Sequence, residues 1–145
     1  MAIKPGMVQG MDFVKDQLTG FLPREATAIL RRATTKIAAN LRNEIRRAAP
    51  RRTGTLRKAI VSKKRRGTRD SIEASIYITK GNEAKHDAFY WHMVEYGTPT
   101  AAAKPFVGPA TEAARATYKK DIGEEVGRQV VKQLEKRAKR QRLSK

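Results

Sequence analysis

The chain has no cysteine. That absence excludes disulfides, thiolate metal sites and cysteine nucleophiles together, and it suits a reducing compartment. Aromatic residues are scarce: one Trp, four Tyr and four Phe make up 6% of 145 residues. A core drawn from this composition rests on Ile, Leu, Val and Ala and is expected to be thin, with a neighbouring subunit completing part of it. No apolar run approaches the roughly 18 residues that a membrane span needs. The opening Met1-Ala-Ile-Lys-Pro-Gly lacks the apolar segment of a signal peptide. The sequence therefore predicts a protein made and used in a soluble setting. Acids are few as well, with 14 Asp and Glu against 32 Lys and Arg, for a net charge of +18.

That charge opposes compactness unless a polyanion or an acidic surface offsets it. It is concentrated in two blocks. Residues 42–69 hold twelve Lys and Arg against one acid, Glu44, and residues 132–145 hold seven against Glu135. Neither block contains an aromatic residue, so base stacking is not offered and contact with phosphates would be salt-dependent and sequence-blind. The candidate contacts to DNA or to an acidic partner are Arg46, Arg47, Arg51, Arg52, Lys63, Lys64, Arg65, Arg66, Arg137, Lys139 and Arg140.

At this length the chain is one domain with tails. Residues 1–22 read as an N-terminal arm, with a short helix expected near 11–19 from Met11, Val14 and Leu18. Pro23 suits the first turn of a helix. From there Leu30, Ala33, Ile37, Leu41, Ile45 and Ala48 form one apolar stripe, which Pro50 ends. Residues 51–57 read as a turn and 59–64 as a strand. Residues 71–79 alternate, with Ile72, Ala74, Ile76 and Ile78 on one face, and predict a half-buried antiparallel strand. Residues 89–96 read as a helical turn or two, and 97–104 as a flexible contact arm anchored at both ends. Pro109 is expected to open a last helix whose buried stripe is Tyr118, Ile122, Val126, Val130 and Leu134. Gly123 and Gly127 within it mark either a local weakness of up to ~1 kcal/mol each or close packing. The fold class is α+β: a small antiparallel sheet packed with two long amphipathic helices, one N-terminal and one C-terminal. The domain spans residues 23–135, and 136–145 form a basic C-terminal tail.

Catalytic patterns are absent. His86 and His92 are the only histidines, and a metal or acid–base site needs more converging groups than His92 and Glu95 supply. No Gly-rich phosphate loop is present. The sequence predicts no enzyme, no metal, no cofactor and no small-molecule substrate.

Three short motifs stand out: Thr53-Gly54-x-Leu56-Arg57; Glu95-Tyr96-Gly97-Thr98, which follows Trp91; and Pro105-Phe106-x-x-Pro109-Ala110. Trp91, Tyr96 and Phe106 are expected to fill the core between the sheet and the last helix. In this order, and flanked by two long helices, the motifs resemble the tail-component family of HK-type lambdoid siphophages over residues 25–135. The resemblance implies a non-enzymatic virion protein of the neck, one that joins head to tail or completes the tail. It implies assembly in the host cytoplasm, a homo-oligomeric ring, contact with neighbouring neck and tail proteins, and genomic DNA passing through the channel without membrane contact. It also implies framework and subunit-contact roles for Thr53, Gly54, Leu56, Arg57, Trp91, Glu95, Tyr96, Gly97, Thr98, Pro105, Phe106 and Pro109. The rival reading, from the basic blocks alone, is a free nucleic-acid-binding module.

Overall fold

The computed structural model describes residues 18–51, 54–65, 72–80 and 87–143. The elements run α1 (Pro23–Ala48), α2 (Thr55–Ala59), β1 (Ile60–Arg65), β2 (Glu73–Ile78), α3 (Trp91–Tyr96) and α4 (Val107–Leu143). The result is an α+β arrangement, two long helices against a two-stranded antiparallel sheet. Most of the helix expected at 11–19, and most of the connection after β1, lie outside the described residues.

Helix α1 starts and stops where the prolines indicate. Pro23 occupies its first turn, and the Glu25 carboxylate reaches back to accept the Leu22 N–H at 3.3 Å. That bond satisfies one of the donors that every helix start leaves open. Of the expected stripe Ala33 and Ile45 are buried, as is Ile29 beside it, whereas Ala48 at the end of the helix is exposed. Residues 55–57, read as turn, and Ala59, read as the start of the strand, form the short helix α2 instead, because Gly54 adopts φ +75° and redirects the chain into it.

The sheet is a hairpin with Ile60 opposite Ile78, Ser62 opposite Ile76 and Lys64 opposite Ala74. Side chains alternate across a strand, so Ile60, Ala74, Ile76 and Ile78 share one face. Helix α1 lies on that face: Arg42 donates to the Ser62 hydroxyl at 3.3 Å, and Leu41 and Ile45 join Ile60, Ile76 and Ile78 in one cluster. Tyr77, on the other face, is exposed.

Helix α4 reaches this cluster only through its first turn, with Val107 and Ala110. Further along it packs on α1. There a second cluster joins Ile29 and Ala33 to Val126 and Val130, with Leu18, Phe21, Leu30 and Ile122 around them. The two helices are antiparallel, since Arg137 near the end of α4 pairs with Glu25 at the start of α1. The buried stripe of α4 is shorter than the sequence suggests. Tyr118 is 48% exposed and Leu134 50% exposed. Tyr118 precedes the stretch where α4 meets α1, and Leu134 sits one step off the seam that runs Ile122, Val126, Val130, Arg137. Gly123 is buried within this stretch, which favours close packing over local weakness.

Helix α4 continues without a break through Leu143. Within the basic tail, Arg137 is docked: its guanidinium lies 4.6 Å from the centre of the Phe21 ring and also holds the Glu25 carboxylate. Removing residues 138–145 is therefore expected to leave the melting temperature unchanged. Removing 136–145 is expected to lower it, because the Phe21 and Glu25 contacts leave with Arg137. Thermal denaturation of the two truncations decides this, and equal melting temperatures would show that the docking contributes nothing.

Candidate functional site

The second and third motifs meet in one device. Glu95, at the end of α3, is buried at 6% exposure. One carboxylate oxygen, Oε2, accepts the N–H groups of Phe106 at 2.8 Å and Val107 at 2.9 Å, and Oε1 accepts that of Gly108 at 2.8 Å. These are the open donors at the start of α4, so Glu95 caps that helix from a distant point in the chain. Burial on its own raises the pKa of the Glu95 carboxyl. The three backbone donors outweigh it, and the net shift is downward.

This cap corrects the expected start of α4. The helix opens at Val107 and not at Pro109, because Glu95 satisfies the turn ahead of the proline. Phe106 is fully buried beneath it. Trp91 is half-buried against the same cluster. Tyr96 does not belong to the core, being 77% exposed.

The loop after α3 is anchored at both ends and closed into a turn. Thr98 and Ala101 exchange backbone hydrogen bonds at 2.8 and 3.2 Å, and the Lys104 N–H donates to the Val94 carbonyl at 2.8 Å. Gly97 makes the entry possible with φ +81° and ψ 178°. A Cβ there would stand 2.8 Å from the Ala103 nitrogen and 3.0 Å from the Ala101 oxygen.

The first motif is a second capping device. Leu56 is buried in the sheet-side cluster. Arg57 donates through Nε to the Ala49 carbonyl at 2.9 Å and through Nη2 to the Arg47 carbonyl at 3.0 Å. It thus meets acceptors at the carbonyl end of α1, where a cation is favoured. Thr53 lies outside the described residues. Arg57→Ala is expected to destabilise the fold by about 1–2 kcal/mol, read as a lower urea midpoint with an unchanged slope. Full retention of the midpoint would mean that water serves those carbonyls equally well.

These devices leave a basic notch at the end of α1. Arg46, Arg47, Arg57 and Lys58 line a space of about 450 Å3. Arg46 is held by its Nε bond to the Ile60 carbonyl at 2.8 Å, and burial, with Arg42 nearby, lowers its pKa from the ordinary value. Arg47 pairs with Glu44 at 2.5 Å. Arg51, Lys63, Lys64 and Arg65 are exposed, whereas Arg52 and Arg66 lie outside the described residues. The notch does not include the second block. Arg137, Lys139 and Arg140 sit at the opposite end of the helix pair: Arg137 holds Glu25, which lies roughly 32 Å along α1 from Arg46.

Catalytic geometry is not assembled around the histidine and acid considered above. His92 is exposed, while both oxygens of Glu95 are taken by backbone donors. His86 lies outside the described residues. Among the described residues, no group of three His, Asp or Glu is placed to hold a metal ion, and no helix is long and apolar enough to cross a membrane.

The family model for the bacteriophage HK97-gp10 tail component matches residues 12–97, more than half of the chain. The match takes in the first motif and the second as far as Gly97, so Thr98, the Pro105–Ala110 segment and α4 lie beyond it. No curated protein and no solved structure matches the chain.

Proposed function

The chain belongs to the bacteriophage HK97-gp10 tail-component family, whose members are parts of the phage tail, and from that membership we propose that it acts in the neck, as a ring around the DNA channel that joins head to tail or completes the tail. Its work is assembly and docking, without chemistry. The family match carries this reading, and the distribution of charge supports it. The Glu95 and Arg57 devices are internal, so the motifs rigidify the domain and leave its surfaces to make contacts. Cations gather at both ends of the α1–α4 pair. In a ring, those facing the lumen would meet DNA phosphates, and those facing an acidic neighbour would pair across the joint. Exposed Tyr96, together with the closed turn at Thr98, is offered to a neighbouring subunit.

The basic notch also favours a second reading, a free module that binds nucleic acid. The two are separated by the mass of the purified protein in solution, with and without duplex DNA, across a salt series. A discrete oligomer, or a monomer that becomes one with a neck or tail protein, is the expected result. Tight DNA binding by a persistent monomer, falling steeply with salt, would replace the ring with the module.

A further inference from the structure

A trough of about 1740 Å3 lies between α1, the inner face of the sheet and the first half of α4. Its walls are mainly apolar, with Ile37 and Leu41 from α1, Ile76 from β2, and Ala110, Ala114 and Tyr118 from α4. Several of the α4 side chains along it are small, although Arg115, Tyr118 and Lys119 also line it. Ala110, Ala113, Ala114 and Thr117 do not span the gap to α1. Apolar surface of this extent calls for cover.

We propose that residues 1–17 of this chain are that cover. Three observations select them. The first is charge: Lys4 and Lys15 balance Asp12 and Asp16, so the segment is neutral in side-chain charge within a chain of +18. It approaches a lining that carries Arg47, Lys80, Arg115 and Lys119 against Glu44 and Asp121, a net positive rim, without the repulsion that either basic block would meet. It also supplies apolar groups in register, since Met7, Met11 and Val14 continue to Leu18 at four- and three-residue steps.

The second observation is position. Leu18, the first described residue, packs in the cluster that contains Ile122. The preceding residue on α4, Asp121, lines the trough. The segment therefore joins the described fold at one end of the trough. The third is length. From Asp121 to Val107 the trough follows about 21 Å of helix. Seventeen residues cover about 26 Å as a helix and about 55 Å extended, so the segment reaches the far end in either form. This inference stands apart from the ring proposed above, because the segment fills a trough whether it comes from the same copy or an adjacent one.

The absence of cysteine gives a direct test in the full chain. Met7→Cys, Met11→Cys and Val14→Cys are each combined with Ala114→Cys inside the trough. Each is also combined with Ala116→Cys, which is exposed on α4 and does not line it. Under mild oxidation, at least one position is expected to link to residue 114 about tenfold faster than to residue 116. A linked product of monomer mass places the segment in its own trough, and one of dimer mass in a neighbour's. Both support the proposal, and three positions that link no faster to 114 than to 116 overturn it. Trp91, the only tryptophan, also lines the trough. Met11→Asp in the full chain is expected to shift its emission to the red, and an unchanged spectrum counts against the segment as cover.

Discussion

Glu95→Ala is expected to lower the melting temperature by about 10 °C or more. The carboxylate is buried and accepts three backbone N–H groups at the start of α4. Each hydrogen bond to a charged group contributes about 1.5–3 kcal/mol, and the three are not additive, so a total of about 3–5 kcal/mol is expected. Alanine leaves buried donors with no acceptor, and it does so where Phe106 enters the core. For a domain of this size, each kcal/mol moves the midpoint by about 3–5 °C. Glu95→Gln keeps the volume but loses the charge and turns an NH2 group toward donors, so it should fall between the two. Differential scanning calorimetry of the three proteins gives the order, and a Glu95→Ala protein that melts with the parent would remove the cap from the account.

The same carboxylate sets a pH dependence of known sign. Its pKa is lower in the folded protein than in the unfolded chain, where a glutamate titrates at about 4.3. Its contribution is therefore complete above that value and is lost as pH falls through the folded value. Glu25, lowered chiefly by its hydrogen bond to Arg137, acts in the same direction. The parent should thus lose stability on acidification below about pH 4.3. Glu95→Gln should lose less over the same interval, retaining the slope due to Glu25. Parallel curves for the two proteins would show that Glu95 does not carry the acid sensitivity.

Gly97→Ala is expected to cost about 3–4 kcal/mol, and Gly54→Ala about 1–2 kcal/mol. Both glycines have positive φ, +81° and +75°, yet their surroundings differ. Among the described residues beyond its chain neighbours, no atom lies within 4 Å of where a Cβ on Gly54 would stand, so alanine there meets only the backbone strain. At Gly97, with ψ 178°, the backbone occupies a region that is essentially glycine's alone. The added methyl would also press on the backbone of Ala101 and Ala103. That backbone belongs to the closed turn and has little room to yield. Gly97→Val adds two further carbons and should abolish the turn together with any contact it makes in assembly. Urea denaturation of the alanine pair is the direct comparison. Equal costs would mean that the 97–104 turn shifts freely to admit a side chain.

Much of the frame is legible in the sequence because it depends on near neighbours. The stripe from Leu30 to Ala48, bounded by Pro23 and Pro50, specifies α1 through period and proline alone. The alternation of Ala74, Ile76 and Ile78 specifies the inner face of β2 in the same way. Composition is enough to separate the two basic blocks, and the three motifs are visible as strings of residue types. What those strings do was settled by tertiary structure. Glu95 caps a helix eleven to thirteen residues later, and Arg57 reaches back eight and ten residues to carbonyls at the end of α1. Neither partnership has a local period to announce it. Hydrophobicity likewise does not say which residues find a partner: Tyr96, Tyr118 and Leu134 read as core and are exposed, Tyr118 because α4 meets the sheet only at its first turn and α1 only further along, and Leu134 because it lies off the α1 seam. The trough between those two contacts is the same kind of property. It arises from where three elements stop touching, and only their arrangement in space decides that.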